Sequence, residues 1–172
     1  MLKGWRVTTV NGLLLVLYFV PAWTLAVFNI VVFPIRGIYE RANIGPALYV
    51  NDTFHLSTLG TVRFAWLWAL AKFVVVAYFL LFAAQTFRLE GARRGKGDEA
   101  LAFALVLGSI ISIASMMAAS AVGEAASLRL HATESLLLLG AFVLLAIDSE
   151  SYGVKQRSAA PSEAALAVKS AA

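Results

Sequence analysis

The chain has 172 residues, of which 60% are hydrophobic and only 14% are charged. A soluble domain of this length has too little interior to hide so much apolar surface, so the composition indicates an integral membrane protein that contacts a lipid bilayer. The net charge of +4 comes from basic residues beside hydrophobic segments, where headgroups and insertion topology account for them, and we expect no nucleic acid partner. Cysteine is absent, which excludes disulfides and thiolate sites.

Four apolar segments follow one another along the chain. They predict an all-α integral membrane protein with one four-helix transmembrane domain at residues 1–148, and with spans at about 12–33, 64–87, 100–122 and 128–147. The second segment is long enough for the whole hydrocarbon layer, because about 1.5 Å of rise per residue gives roughly 36 Å of helix. The tryptophans are expected at the membrane interfaces: Trp5, Trp23, Trp66 and Trp68.

The connection between the first two spans contains a second helical pattern. Its apolar residues recur at helical spacing: Ile35, Ile38, Tyr39 and Ala42. This spacing predicts a short amphipathic helix in the membrane interface, in the first outer loop. Asn43, Gly45 and Pro46 then predict its end.

The distribution of basic residues predicts the orientation of the chain. With the N-terminus inside, nine basic residues lie inside: Lys3, Arg6, Arg88, Arg93, Arg94, Lys96, Lys155, Arg157 and Lys169. Four lie outside: Arg36, Arg41, Arg63 and Arg129. The positive-inside rule therefore predicts two cytoplasmic termini, in a membrane of the bacterial inner-membrane type. Residues 149–172 are rich in alanine, serine and charged residues and are expected to form a disordered cytoplasmic tail.

Lys72 is the one charged residue of the second span. Counting along the helices puts it at about the depth of Thr24 in the first span and of Ser112 and Ser115 in the third. By this alignment no span supplies a carboxylate at that depth. A charged residue inside a membrane is a candidate functional site. The sequence leaves open a bound anion, a proton relay, a carboxylate of a partner subunit, or a lysine that contacts only hydroxyls and carbonyls.

Small residues form a stripe on the third span. Its members are Gly108, Ser112, Ser115, Ala119 and Gly123. A stripe of this kind lets another helix approach closely. The approaching helix is either one of the same bundle or one from another subunit, so the stripe leaves open a homo-oligomer or a hetero-oligomer with other membrane proteins.

Both histidines lie three residues from a carboxylate, in the pairs Asp52–His55 and His131–Glu134. In a helix such residues share a face. Together with Glu124 they would offer imidazole and carboxylate ligands to a metal ion, or His55 and His131 would hold a haem between helix ends. The alternative is ordinary capping and loop chemistry, without any cofactor.

The sequence contains none of the common catalytic motifs that we searched for. A phosphate-binding glycine loop, a nucleophile elbow and a His-Glu-x-x-His segment are all absent, so we expect no enzyme. The favoured hypothesis is an accessory or structural subunit that packs against other membrane proteins. The first alternative is a small transporter or channel oligomer that uses Lys72, and the weaker one is metal or haem binding through His55 and His131.

Overall fold

The structure, a computed structural model, describes residues 6–32, 41–88 and 97–170, with side chains described within 6–32, 45–88 and 97–149. These ranges consist of helices and short connections. The helices are α1 (Val7–Val32), α2 (Arg41–Phe54), α3 (Thr58–Phe87), α4 (Asp98–Ala121) and α5 (Ala125–Ser170).

Four of the helices are long and apolar enough to cross a membrane, which confirms the predicted all-helical fold with four apolar spans. They are α1, α3, α4 and the part Ala125–Ser149 of α5. Large apolar side chains remain exposed around the bundle, as for Leu17, Leu67 and Leu136. This outward-facing apolar surface is typical of a multi-pass membrane protein, because lipid can cover it.

The spanning helices form a closed ring in chain order. Contacts are most extensive between α4 and α5, followed by α1 with α3 and α3 with α4. The contacts between α1 and α5 are the fewest of the four neighbouring pairs, and we call this line of contact the α1–α5 seam. Short connections join α3, α4 and α5, so these helices alternate in direction.

One end of the bundle is fastened by an ion-pair group, the Arg6 cluster, which consists of Arg6, Thr8, Asp98 and Asp148. The Arg6 guanidinium lies 2.6 Å from carboxylate oxygens of both Asp98 and Asp148. Thr8 Oγ1 also donates to Asp148, at 2.7 Å. Burial opposes the charge on Arg6, but hydrogen bonds and charges from Asp148 and Asp98 outweigh it and raise the pKa of the guanidinium. The cluster therefore joins α1, α4 and α5 at what we call the Arg6 end.

Helix α2 lies across the opposite end, which we call the α2 end, and contacts α3, α4 and α5. Most of the amphipathic helix predicted around Ile35 to Ala42 falls on residues 33–40, which lie outside the described ranges. The structure differs from the prediction at the next residues, because α2 runs from Arg41 to Phe54 and does not end at Asn43, Gly45 and Pro46. A proline at this position costs one backbone hydrogen bond, to the carbonyl of residue 42. Gly45, Pro46 and Ala47 are buried against the bundle, and this packing compensates for the missing bond.

Two helices extend beyond the apolar spans that were predicted for them. Helix α3 begins at Thr58 because Ser57 caps it, with Ser57 Oγ accepting from the Gly60 N–H at 3.3 Å. Helix α5 continues beyond the apolar span to Ser170, where the sequence predicted disorder from residue 149. Alanine is the strongest helix former, and the last residues of the chain are rich in it.

The interior changes character along the bundle axis. Toward the Arg6 end it is mainly apolar, with Phe82, Leu101 and Leu105 all buried, although Thr86 and Ser109 are buried there as well. Near the middle, the rings of Phe19 and Phe79 stack with centroids 5.7 Å apart. Toward the α2 end the buried residues include charged and polar ones, and these form the candidate site.

Candidate functional site

The carboxylate of Glu134 is the centre of a buried polar group. Its Oε1 accepts a hydrogen bond from Trp23 Nε1 at 2.9 Å. Its Oε2 lies 2.8 Å from His131 Nδ1 and accepts a longer bond from Ser112 Oγ at 3.4 Å. Three helices, α1, α4 and α5, therefore meet at one carboxylate.

Lys72 brings the remaining spanning helix to the same place. Its Nζ lies 5.4 Å from the centroid of the Trp23 ring, within the range of a cation–π contact. Trp23 therefore contacts both Lys72 and Glu134, and an ammonium on Lys72 would compensate the nearby carboxylate. We call Trp23, Lys72, Ser112, His131 and Glu134 the Glu134 cluster.

All members of the Glu134 cluster are buried in the bundle, and Lys72 and Glu134 expose only 1% and 3% of their surface. An uncompensated charge in such surroundings costs several kcal/mol, whereas two opposite charges with hydrogen bonds to the carboxylate compensate one another. The arrangement of the cluster meets this requirement, because Glu134 has a cation nearby and hydrogen-bond partners on both oxygens.

The cluster forms because the helix ends are in register. Trp23, Ser112 and Glu134 are each nine residues from the α2 end of their helix, at Val32, Ala121 and Ala125. Nine residues correspond to about 13 Å along a helix axis, so the three side chains lie at one depth. Lys72 starts deeper, but a helical side chain tilts toward the N-terminus of its helix, which for α3 is the α2 end.

A second polar contact adjoins the cluster. Trp68 Nε1 donates to Ser115 Oγ at 3.2 Å, which links α3 to α4 one turn nearer the α2 end. Further buried polar residues follow on α5, with Ser127 and Ser135 on either side of His131 along the helix. Ser135 Oγ donates to the His131 carbonyl at 2.7 Å. Ser115, Trp68 and Ser127 thus extend the polar groups from the cluster toward the α2 end, whereas Ser135 lies just beyond Glu134 on the opposite side.

On the other side of the cluster the interior is mainly apolar, although Ser109 of α4 is also buried there. Val75, Val76 and Phe79 of α3 are fully or almost fully buried below Lys72, and Leu138 of α5 is fully buried one turn beyond Glu134. The side chain of Phe19 also lies here and packs edge-on against Trp23, with centroids 5.3 Å apart. The cluster therefore adjoins polar groups on one side and an apolar barrier on the other.

The structure corrects the prediction for Lys72 in two respects. A carboxylate does lie close to it inside the bundle, namely Glu134, which the sequence analysis placed in the first turns of the fourth span and not at the depth of Lys72. Thr24 is exposed on the outside of α1, so it is not a neighbour of Lys72 inside the bundle. Its neighbour in sequence, Trp23, points inward instead, because consecutive residues of a helix lie about 100° apart.

The small-residue stripe lies almost entirely inside the bundle. Gly108, Ser112, Ser115 and Ala119 are buried, and a Cβ placed on Gly108 would lie 3.2 Å from Leu138 Cδ1 of α5. Gly123 is exposed and lies beyond the end of α4, in a turn where its φ of +75° suits glycine. The described structure uses the stripe for contacts within one chain.

The five residues proposed as a metal or haem site do not come together. His55 is exposed at the end of α2, and Asp52 is exposed too, whereas His131 is buried against Glu134. Within the described ranges, no three His, Asp or Glu side chains lie close enough to hold a metal ion. Glu124 lies in the turn before α5, where it accepts the Leu128 N–H through its backbone carbonyl.

Chemically, the Glu134 cluster holds three groups that can gain or lose a proton: a lysine, a carboxylate and a histidine. Tyr18 on α1 is a fourth ionisable group that interacts with the Glu134 charge. Comparisons with protein-family models, with curated proteins and with solved structures found no match to this chain. The function is therefore argued from the cluster itself.

Proposed function

We propose that this protein is a small proton-coupled membrane transporter whose ion-binding site is the Glu134 cluster. The observation that supports the proposal is the buried Glu134 cluster with Lys72 beside it, to which all four spanning helices contribute. Ionisable groups at such depth are costly and occur mainly where ions or protons are bound or moved. The site also has the surroundings of one conformation of a carrier, with polar groups toward one end and an apolar barrier toward the other.

The orientation follows from the basic residues. The proposed transporter spans a bacterial inner membrane with both termini in the cytoplasm, because the inner side then holds nine arginines and lysines and the outer side four. In this orientation the α2 end faces the outside. The Glu134 cluster would exchange protons with the outer side through the polar groups around His131, while the apolar core separates it from the cytoplasm.

The accessory-subunit hypothesis stays a prediction, and two of its sequence arguments are weaker than the sequence indicated. Its sequence argument was the small-residue stripe, and four of the five stripe residues are buried inside the bundle. The buried lysine was its second argument, on the assumption that a partner subunit supplies the carboxylate, but Glu134 of the same chain interacts with it. These two contacts within one chain support our proposal of a function within the bundle.

A pH step across a reconstituted protein layer tests the proposal. Because protons would reach a site about 13 Å inside the bundle, proton binding displaces charge within the membrane and gives a transient current on a solid-supported membrane. We expect this current for the unmodified protein and its loss in Glu134→Gln. The matched control is Asp52→Asn, which removes an exposed carboxylate at the same end and should leave the current unchanged. Absence of the current, or its persistence in Glu134→Gln, would overturn the proposal.

A further inference from the structure

We infer that the Glu134 cluster is a binding site for a monovalent organic ammonium ion, and that this ion takes the place of the Lys72 ammonium by exchange for a proton. The inference rests on the proposed function, because it names the class of substrate that the proton-coupled site would carry. It follows from the groups that surround Lys72 Nζ.

These groups are the ones that recognise organic ammonium ions. A carboxylate supplies the opposite charge, and the face of an indole ring attracts the cation through its quadrupole. Glu134 and Trp23 provide both, and the Trp23 N–H donates to the carboxylate, which fixes the ring and the acid relative to each other. Phe19 packs edge-on against Trp23, with Phe79 stacked behind it, so aromatic rings continue on one side of the site.

The cluster already holds an ammonium ion, although this one is tethered. The Lys72 side chain is a butylammonium group attached to α3, and its head lies over the Trp23 ring near Glu134. A free primary alkylammonium has the same charge, the same hydrogen-bond donors and the same apolar stem. It can therefore make the contacts that Lys72 makes now, provided that Lys72 withdraws.

Charge balance determines how Lys72 withdraws. Two cations beside one buried carboxylate would leave an uncompensated charge, which is costly in this interior. If Lys72 loses its proton, the buried charge stays the same: a neutral lysine amine, one bound alkylammonium ion and the Glu134 carboxylate replace the original ion pair. The released proton leaves toward the α2 end, past His131. One ammonium ion thus exchanges for one proton.

The α1–α5 seam gives such a ligand a path from the membrane. It has the fewest contacts of the neighbouring helix pairs, and near the site it is bridged by the Trp23–Glu134 hydrogen bond. Tyr18, which is partly exposed on the outside of α1, senses the charge of Glu134 across this seam. An alkylammonium ion is amphiphilic, so it concentrates at the membrane interface and approaches the seam from there.

Titration calorimetry of the full-length protein with n-butylammonium chloride tests the inference. Runs in two buffers that differ in ionisation enthalpy give the number of protons released per ligand. We expect binding with release of about one proton, since the buried charge must stay constant. The matched ligand is n-butanol, which has the same stem without the charge and should not bind. In Glu134→Gln we expect affinity to fall at least about tenfold.

The variant Lys72→Met separates exchange from simple binding. Without the tethered ammonium, n-butylammonium should bind at least about tenfold more tightly, because no lysine competes for Glu134. Binding to the unmodified protein without proton release would overturn the inference, and so would absence of binding. If n-butylammonium does not bind while the pH-step current persists, the ammonium inference is wrong and the proposed proton-binding site is retained. If the current itself is absent, the proposed function falls.

Discussion

Trp23 is the residue through which the two buried charges meet. Its indole N–H donates to Glu134, and the face of its ring lies under the Lys72 ammonium. Phenylalanine at this position keeps an aromatic face but removes the donor, so the carboxylate loses one hydrogen bond that water cannot replace in this interior. Substitution of Trp23 therefore tests how much its hydrogen bond stabilises the Glu134 carboxylate.

We expect Trp23→Phe to lower the free energy of unfolding by about 1–3 kcal/mol, the usual cost of leaving a buried charged group without a hydrogen bond. The measurement is unfolding by dodecyl sulfate in mixed micelles. Trp66→Phe is the control, because Trp66 is 47% exposed, and its change should stay within about 0.5 kcal/mol. Equal effects of the two substitutions would show that the Glu134 bond contributes nothing.

The sequence predicted Lys72, Ser112 and Ser115 as one site, and the structure buries all three around one region of the bundle. It did not predict Trp23 or Glu134 as their neighbours. The depth of a residue in the membrane can be counted along a sequence, but the rotation of a helix about its own axis cannot be read from it. The sequence analysis therefore placed Thr24 beside Lys72, whereas the structure places the adjacent residue, Trp23, inside the bundle. Glu134 was placed near the outer end of the fourth span because that span was started at residue 128, whereas α5 begins at Ala125 and so Glu134 lies deeper.

A pattern on α5 would have identified Glu134. Its buried residues follow a helical repeat of three and four: Ser127, His131, Glu134, Leu138, Ala141 and Leu145. Because the polar members continue the stripe of the buried leucines, they face the same interior. The metal hypothesis read His131 and Glu134 as a surface pair and therefore missed this continuity.

The approach of α1 to its neighbours depends on Gly12. A Cβ at this position would lie 2.7 Å from Phe82 Cζ and 3.0 Å from Leu101 Cδ2, so α3 and α4 leave no room for it. We expect Gly12→Ala to reduce the free energy of unfolding by about 1–3 kcal/mol through overpacking. At Gly140 of α5 an added Cβ meets nothing within 4 Å, so Gly140→Ala is the control.

In the control only helix propensity changes, and alanine should stabilise the helix by up to about 1 kcal/mol. Opposite signs for the two substitutions, measured by thermal unfolding in detergent, are the expected result. If Gly12→Ala is as stable as Gly140→Ala, then α1 does not pack against α3 and α4 as described.

Replacement of Ser112 tests the role of α4. The structure buries Ser112 between helices of one chain, so Ser112→Leu should prevent correct packing of the bundle, at a cost of about 2–4 kcal/mol from overpacking and loss of a bond to Glu134. Ser120→Leu, on the exposed side of the same helix, should leave folding unchanged. A Ser112→Leu protein that unfolds normally but changes its mass on a native gel would return the stripe to a contact between subunits.

At the scale of the whole molecule, the bundle has two different ends and an interior that matches them. The Arg6 cluster joins α1, α4 and α5 at one end, and α2 covers the other. The raised pKa of Arg6 means that its contribution to stability is complete below the ordinary arginine pKa and is lost only above it. The Arg6 guanidinium should therefore stay charged over the pH range in which the Glu134 cluster is tested.

The proposed orientation predicts which end an impermeant reagent reaches. The chain contains no cysteine, so single cysteines can be introduced at Thr53 in α2 and at Ser149 in α5 without background. In intact cells we expect an impermeant maleimide to label Thr53→Cys and to spare Ser149→Cys until the membrane is opened. The reverse pattern would place the α2 end in the cytoplasm and invert the direction of proton access.

A double-mutant cycle between Lys72 and Glu134 tests the central claim most directly. That claim is that the two residues compensate one another inside the bundle. The variants are Lys72→Met, Glu134→Gln and both together, and the measurement is the free energy of unfolding in mixed micelles. Each single change leaves the other charge buried and uncompensated, so we expect each to cost about 3–5 kcal/mol. The double variant removes both charges, and we expect a coupling energy of about 2 kcal/mol or more. If the cost of the double variant equals the sum of the two single costs to within about 0.5 kcal/mol, Lys72 and Glu134 are independent and the account is contradicted.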